Sequence, residues 1–178
     1  MRDIYVFEQK FPITGGDFTN AGMASVEVKS ILKKTGIDSK NVRRISIAVY
    51  EAEMNVVLYS RQGVLTLLVT PESVFIVFQD EGEGIEDIAM AMREGFTTSD
   101  EKIRELGFGS GMGLPNIKGN ADYLKITSTM KKGTTLEMGF DLTGRISESD
   151  KEETRTRYDM ENDINMYLWK KKGYVEKT

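Results

Sequence analysis

Residues 107–115 read GFGSGMGLP, a run in which four glycines alternate with other residues before an apolar segment that contains a proline. Because proline is favoured in the first turn of a helix, a short helix is predicted from about residue 114 to residue 121. Glycine backbone that leads into a helix N-terminus can bind phosphate through its N–H groups and the helix dipole. The spacing matches neither the P-loop nor the dinucleotide-binding fingerprint. A flexible linker is the alternative interpretation.

An acidic, glycine-containing stretch lies upstream of this run. Residues 80–85 read DEGEGI and directly follow the hydrophobic predicted strand 74–79. Asp80, at the end of that strand, can accept a hydrogen bond from an exocyclic amine, and Gly82 and Gly84 allow a flat ligand to approach the backbone. The alternative is an acidic turn that binds nothing. The ligand pattern of an EF-hand calcium loop does not occur here.

The predicted helix 40–60 carries a polar pair beside a strong apolar stripe. The stripe recurs at helical spacing and comprises Val42, Ile45, Val49, Ala52, Val56 and Tyr59. Glu51 and Asn55 are four residues apart, so both lie on one side of the helix at the border of the stripe. A carboxylate there can accept a proton, and an amide oxygen can ligate Mg²⁺, whereas the alternative is a solvated face. Glu53 points to another side and is expected to be neutral for chemistry.

Strands and helices alternate along the rest of the chain. Gly133 lies directly before the strand predicted at 134–142, and Thr134 is its first residue. This is a weak signal for a binding site, and an ordinary turn is the alternative. Asp17 or Thr19 is expected to cap the first helix. The other predicted elements are strands at 4–13, 64–70, 123–129 and 134–142, helices at 20–35 and 85–94, and a long, mobile loop at 95–113.

The composition excludes several classes of protein. The chain has 178 residues, of which 39% are hydrophobic and 29% charged, as in a folded globular domain. It contains no cysteine and no histidine, which excludes disulfides, thiolate sites and catalytic triads that use histidine. A net charge of −4 argues against nucleic acid as a partner, and no apolar run has the length of a membrane span. The cytoplasm is the expected compartment.

The composition changes near residue 145, which divides the chain into a domain at 1–144 and a charged extension at 145–178. In residues 148–178, fifteen of the thirty-one side chains are charged. Four apolar residues recur there at helical spacing: Met160, Ile164, Tyr167 and Leu168. The extension is therefore predicted to be helical and to pack on the domain or on a partner, and a solvated tail is the alternative.

The order of these motifs resembles that of the GHKL nucleotide-binding superfamily, with its N, G1, G2 and G3 boxes. Residues 50–55, YEAEMN, and 105–118, ELGFGSGMGLPNIK, are similar to the RsbT-type switch kinases among the anti-sigma-factor serine/threonine kinases (RsbW/RsbT-like). The resemblance covers about residues 4–142. It implies a two-layer α/β sandwich, with a mixed, mostly antiparallel sheet and helices on one face, as an ATP-binding kinase domain.

The resemblance also implies ATP and Mg²⁺ as cofactors. Asp80 would bind the adenine amino group, with Thr134 supporting it through water, and Asn55 would hold Mg²⁺. Glu51 would be the catalytic base toward a serine or threonine hydroxyl. The other implied nucleotide-binding residues are Gly82, Gly84, Ile85, Arg104, Gly107, Gly109, Ser110, Gly111, Met112, Gly113 and Leu114.

Two positions depart from the RsbW-type relatives. Those relatives carry an arginine in the glycine lid, where this chain has Gly109, and Arg104 is the nearby cation. They also often carry a histidine four residues after the N-box asparagine, where this chain has Tyr59. Both departures favour a switch kinase over a protein that holds a sigma factor.

The function that the resemblance implies is an ATP-dependent protein serine/threonine kinase that phosphorylates a STAS-domain antagonist protein. The alternative is an ATP-dependent binding switch, either an anti-sigma factor or a phosphatase activator, with little or no catalysis. A sigma factor, a phosphatase and a second copy of the chain are the further partners considered. A histidine-kinase catalytic domain is disfavoured, because the chain has no histidine and no predicted dimerisation helices.

Overall fold

The computed structural model describes residues 7–144, which form five strands and five helices. The strands are β1 (Phe7–Thr14), β2 (Ser60–Val69), β3 (Ser73–Gly82), β4 (Tyr123–Thr129) and β5 (Gly133–Asp141). The helices are α1 (Met23–Lys34), α2 (Ser39–Tyr59), α3 (Ile88–Ala91), α4 (Glu101–Glu105) and α5 (Gly113–Asn120). The charged extension at 145–178, predicted to be helical, and the first three residues of the strand predicted at 4–13 lie outside the described residues.

The strands form one sheet in the order β1-β2-β3-β5-β4. All four pairings are antiparallel, so the sheet contains no parallel pair within residues 7–144. The predicted α/β class with a mostly antiparallel sheet is confirmed. The chain leaves β3 at the middle of the sheet, passes through α3, α4 and α5, and returns at the edge as β4 before β5 fills the gap. Residues 83–122 therefore form one long excursion at the end of β3.

The predicted helix layer on one face of the sheet is confirmed. Strand residues such as Leu65, Ile76 and Met138 share one buried cluster with Val49 of α2 and Ile117 of α5, and all of them are fully buried. Burying such side chains stabilises a fold by roughly 1.5–3 kcal/mol each. The apolar stripe predicted for α2 thus positions Glu51 and Asn55 at the border of this core. No helix within residues 7–144 is long and apolar enough to cross a membrane.

Side-chain caps set the beginning of several helices. The Asp38 carboxylate accepts a hydrogen bond from the Asn41 N–H at 3.0 Å, which begins α2 and lowers the pKa of Asp38 below its ordinary value. The helix predicted at 85–94 is wrong in extent, since only α3 forms, capped by Asp87. No residue of α3 is buried, so no packing stabilises a longer helix.

Candidate functional site

One part of the site lies where β3 ends. Asp80 Oδ1 accepts hydrogen bonds from the N–H of Gly82 at 2.8 Å and from the N–H of Thr134 at 3.3 Å. Both bonds reach the same oxygen, and within residues 7–144 the other oxygen, Oδ2, makes no hydrogen bond. A carboxylate held through one oxygen presents the second in a fixed direction. Asp80 can therefore accept a hydrogen bond from the amine of a ligand.

Ser128, which sequence reasoning missed, joins the strand ends around Asp80. Its hydroxyl oxygen lies 2.7 Å from the N–H of Ile85, which donates to it, and 2.8 Å from the hydroxyl of Thr134. It also lies 3.2 Å from the carbonyl of Gly133, to which it donates in turn. Ser128 pairs with Thr134 across β4 and β5. Strand alternation alone does not distinguish it from other serines, so only the register of the sheet reveals its role.

The glycines at this end are required by close contacts. A Cβ atom at Gly82 would lie 2.6 Å from Ser60 Oγ and 2.8 Å from the carbonyl oxygen of Tyr59. Gly133 has a φ of 112°, and a Cβ there would overlap the carbonyl of Asp80. Gly84 also has a positive φ of 82°. These three glycines are therefore required by the close packing of the chain on itself around Asp80.

Helix α2 lies directly against this end of the sheet. A Cβ at Gly63 would lie 2.8 Å from Val56 Cγ1 and 3.3 Å from Asp80 Cβ. Val56 follows Asn55 on α2, so the predicted adenine-binding and metal-binding residues lie on neighbouring elements. Proximity of Asp80 to the C-terminal half of α2 is thus a property of the fold.

The second part of the site joins α2 to the N-terminus of α5. A Cβ at Gly113 would lie 3.5 Å from Asn55 Oδ1 and 3.6 Å from Glu51 Oε2. Glu51 Oε1 accepts a hydrogen bond from Asn116 Nδ2 at 2.8 Å. The predicted pair on α2 therefore faces the first turn of the helix that the glycine run begins. Asn116 was missed as a site residue, although its place three residues after Gly113 puts it on that first turn.

The glycine run forms the end of a segment, residues 95–113, that we call the lid. Gly107, Gly109 and Gly111 have φ values of 83°, 80° and 75°, which side-chain-bearing residues rarely adopt. The prediction of a plain loop is wrong here, because α4 lies within the lid and is capped by Asp100. The Gly95 N–H also donates to the Gly111 carbonyl at 3.0 Å, which closes the lid on itself.

The remaining predicted site residues occupy different positions on the lid and on α5. Ser110 is exposed, Met112 directly precedes α5, and Leu114 packs against the core. The Arg104 guanidinium donates to the Ser99 carbonyl at 2.9 Å, so its contact within residues 7–144 is internal to the lid. The structure therefore brings Glu51, Asn55 and Gly113 together but shows Arg104 bonded elsewhere.

The arrangement fits ATP with Mg²⁺. Asp80 presents an acceptor for the adenine amine, and the N-terminus of α5 presents N–H groups for phosphate. The Asn55 carboxamide makes no hydrogen bond within residues 7–144, and its Oδ1 faces Gly113. An amide oxygen of this kind suits a hard cation, and Mg²⁺ commonly combines few protein ligands with substrate phosphates.

Glu53 has a structural role that the sequence did not indicate. It points away from Glu51, as expected, but it is 2% exposed and accepts three backbone hydrogen bonds. Its Oε1 lies 3.0 Å from the N–H of Gly22 and 3.1 Å from the N–H of Ala24, and its Oε2 lies 2.8 Å from the N–H of Ser25. Neither Asp17 nor Thr19 caps α1, because Gly22 is the N-cap and the Glu53 carboxylate satisfies its first turn.

Comparison with known proteins gives the chain its family. Residues 17–140 match the family described as the histidine kinase-like ATPase domain. The chain is 28% identical over 113 residues to the serine/threonine-protein kinase RsbT of Bacillus subtilis (strain 168), covering 61% of this chain and 79% of that protein. It is 31% identical over 124 residues to the anti-sigma F factor of Thermoanaerobacter sp. (strain X514), covering 67% and 83%.

The chain is also 31% identical over 125 residues to the anti-sigma F factor of Bacillus licheniformis, covering 67% of this chain and 82% of that protein. Among solved structures, the mycobacterial sensor histidine kinase MprB aligns with a TM-score of 0.43 and 16% identity, over 76% of this chain and 97% of that chain. The resemblance drawn from the four motifs is confirmed by the family match over residues 17–140. The chain belongs to the histidine kinase-like ATPase (GHKL) family.

Proposed function

We propose that the chain is an ATP-dependent protein serine/threonine kinase of a partner-switching system, and that its substrate is a STAS-domain antagonist protein in the cytoplasm. The observation that carries the proposal is the position of the Glu51 carboxylate. It faces the N-terminus of α5 and also lines a surface groove between α1 and α2. A base in this position can contact both a bound nucleotide and a hydroxyl presented by another protein.

Nucleotide binding follows from the two parts of the site. Asp80 Oδ2 would accept from the adenine amino group, with Thr134 beside it, and the ring would lie along the backbone at Gly82 and Gly84. Asn55 would hold Mg²⁺. The lid and the first turn of α5 would surround the phosphates, through residues 107–114. Arg104 would have to leave the Ser99 carbonyl to contribute its charge.

Phosphoryl transfer requires little covalent chemistry from the protein itself. When bound, ATP supplies the transferred group and Mg²⁺ neutralises its charge. Glu51 takes the proton of the serine or threonine hydroxyl as its oxygen forms the new bond to phosphorus and the bond to the leaving ADP oxygen breaks. Asn116 holds Glu51 Oε1, which leaves Oε2 directed toward the substrate side. Most of the acceleration comes from positioning and electrostatics.

The groove beside Glu51 suits a macromolecular substrate. It is lined by apolar side chains, including Ile47 and Tyr50, which are 37% and 42% exposed. Lys33 and Arg43 also line it, and neither forms an ion pair within residues 7–144. A partner whose acceptor hydroxyl lies near acidic and apolar side chains would complement this surface.

Transfer of labelled phosphate tests the proposal. The chain would be incubated with γ-labelled ATP, Mg²⁺ and a STAS-domain antagonist protein from the same genome, and the modified residue identified by mass spectrometry. We expect label on one serine or threonine of the antagonist, and none when Glu51 is replaced by Gln. Labelling that is equal for both enzymes would reject Glu51 as the base.

A binding switch is the second candidate, and the similarity to anti-sigma F factors favours it. Such a protein would bind ATP and then hold a sigma factor or activate a phosphatase. The same experiment separates the candidates: ATP-dependent complex formation without labelling of the antagonist would support the switch and reject the kinase.

A further inference from the structure

The sheet has a second face, opposite the helix layer, and half of it is buried. By alternation from the core residues, this face carries Leu68, Phe75, Val77 and Tyr123. Their side chains are 2%, 5%, 6% and 3% exposed. The pairings Leu68↔Phe75, Phe75↔Gly139 and Tyr123↔Gly139 place three of them in one row across β2, β3, β5 and β4. We call this set the buried row.

No described helix accounts for the burial of this row. The buried residues of α1, α2 and α5 pack with the first face, and α3 and α4 have no buried residues within the described chain. The burial is also uneven along the second face. At the opposite end of the same strands, Val64 is 36% exposed and Gln79 is exposed. A bare sheet face would leave aromatic rings such as Phe75 open to water.

We infer that the C-terminal segment, residues 145–178, covers the buried row of the same chain. The chain leaves β5 at Asp141, which pairs with Ser73 and so lies at the end of the sheet where the row is. Residues 145–178 provide thirty-four residues directly after this point. The covering segment therefore begins beside the surface that it covers.

The buried row of the sheet and the apolar stripe of the C-terminal segment have similar lengths, and their surroundings carry complementary charges. A row across four strands spans about 14 Å, at roughly 4.8 Å between strands. The apolar stripe from Met160 to Leu168 spans about 12 Å on a helix that rises roughly 1.5 Å per residue. The second face also carries the charged residues Glu8, Lys125 and Glu137 around the row. The segment offers both signs, with eight acidic and eight basic residues.

The segment would cover the second face of the sheet, whereas ATP binding belongs to the first face. The nucleotide-binding motifs project from the first face and the ends of its strands, and a segment on the second face would lie on the other side of the sheet from them. Without its cover, the second face would expose a contiguous apolar patch, and such patches promote association of copies. The segment is thus expected to control self-association and to leave ATP binding unchanged.

A tryptophan within the stripe reports on the contact. Trp169 does not serve, because at about 100° per residue it lies on the opposite side of the predicted helix from the stripe. The full-length reporter protein therefore carries Trp169→Phe and Tyr167→Trp, which leaves one tryptophan, in the stripe. In this protein, Ile164→Asp introduces a charge into the stripe, and Met166→Asp, on the other side of the predicted helix, is the matched control. We expect the reporter tryptophan to emit at short wavelength and to resist acrylamide quenching. Ile164→Asp should shift the emission to longer wavelength and increase quenching, and Met166→Asp should do neither.

A second pair of variants tests the face itself. Val77→Lys should shift the reporter emission as Ile164→Asp does, and Val64→Lys, at the exposed end of the same strands, should not. Sedimentation measured in parallel should show a wild-type monomer and self-association of Ile164→Asp, with equal ATP affinity. A reporter tryptophan that is open to quencher before any further substitution would overturn the inference. A wild-type dimer, together with reporter emission that is unaffected by Ile164→Asp, would assign the row to a second copy instead.

Discussion

Glu51 and Glu53 lie two residues apart on α2, and their carboxylates have opposite surroundings. Glu51 is partly exposed, receives one side-chain hydrogen bond from Asn116, and faces the first turn of α5 and a surface groove. Glu53 is buried and receives three backbone hydrogen bonds from the first turn of α1. One stretch of helix therefore provides a carboxylate that can react and a carboxylate that holds the fold. Similar residue types at adjacent positions differ in role because the helix turns them toward different neighbours.

Replacing Glu51 is expected to have the largest effect on activity. Glu51→Gln keeps an oxygen that can accept from Asn116 but removes the base. Phosphotransfer should fall by about 10²–10⁴-fold, measured in single turnover. The affinity for ATP with Mg²⁺ and the free energy of unfolding should both stay close to the wild-type values. Retained transfer would show that another residue is the base and that Glu51 is not the reactive carboxylate of α2.

Replacing Glu53 is expected to act on stability instead. Glu53→Gln retains one acceptor oxygen but turns a buried NH₂ group toward backbone N–H donors. The free energy of unfolding should fall by roughly 2–4 kcal/mol, which a denaturant titration would measure. The folded fraction should bind ATP as the wild type does. An unchanged unfolding midpoint together with lost transfer would show that Glu53, and not Glu51, serves the chemistry.

Asp80→Asn separates nucleotide binding from both glutamates. The Asn oxygen can keep the bonds from Gly82 and Thr134, and its NH₂ group would then face the adenine amine. ATP affinity should fall by about 10–100-fold, and the preference for ATP over GTP should narrow, because an NH₂ group can donate to the guanine carbonyl. Glu81→Gln, an exposed neighbour, is the control and should bind ATP as the wild type does. Unchanged ATP affinity in Asp80→Asn would contradict the adenine assignment.

Asn116→Ala removes the hydrogen bond that holds Glu51 Oε1 and leaves the carboxylate in place. Alanine suits a helix, so stability should change little. Loss of one side-chain hydrogen bond to the carboxylate should lower kcat by about fivefold, with KM for ATP unchanged. A change confined to KM, or a matching loss of stability, would show that Asn116 supports α5 and does not position Glu51.

The features predicted from the sequence are those that local pattern determines. The period of α2 placed Glu51 and Asn55 on one side, and the glycine run predicted the start of α5. Partners that come from distant segments were not predictable in this way. Ser128 reaches Ile85 only because β4 lies beside β5, and Glu53 meets the first turn of α1 only after the helices pack. The caps of α3 and α4 are local features of the sequence. The short length of these two helices depends on packing against the rest of the fold, which the sequence pattern does not show.

We place the nucleotide base against Asp80, and calorimetry of the wild-type chain with two nucleotides checks this position. Titration with ATP and with GTP, each with Mg²⁺, gives both affinities and the number of sites. One ATP should bind per chain, and GTP should bind at least about tenfold more weakly, because its carbonyl would face the Asp80 carboxylate as a second acceptor. Equal affinities for ATP and GTP, or no ATP binding, would contradict this position of the base.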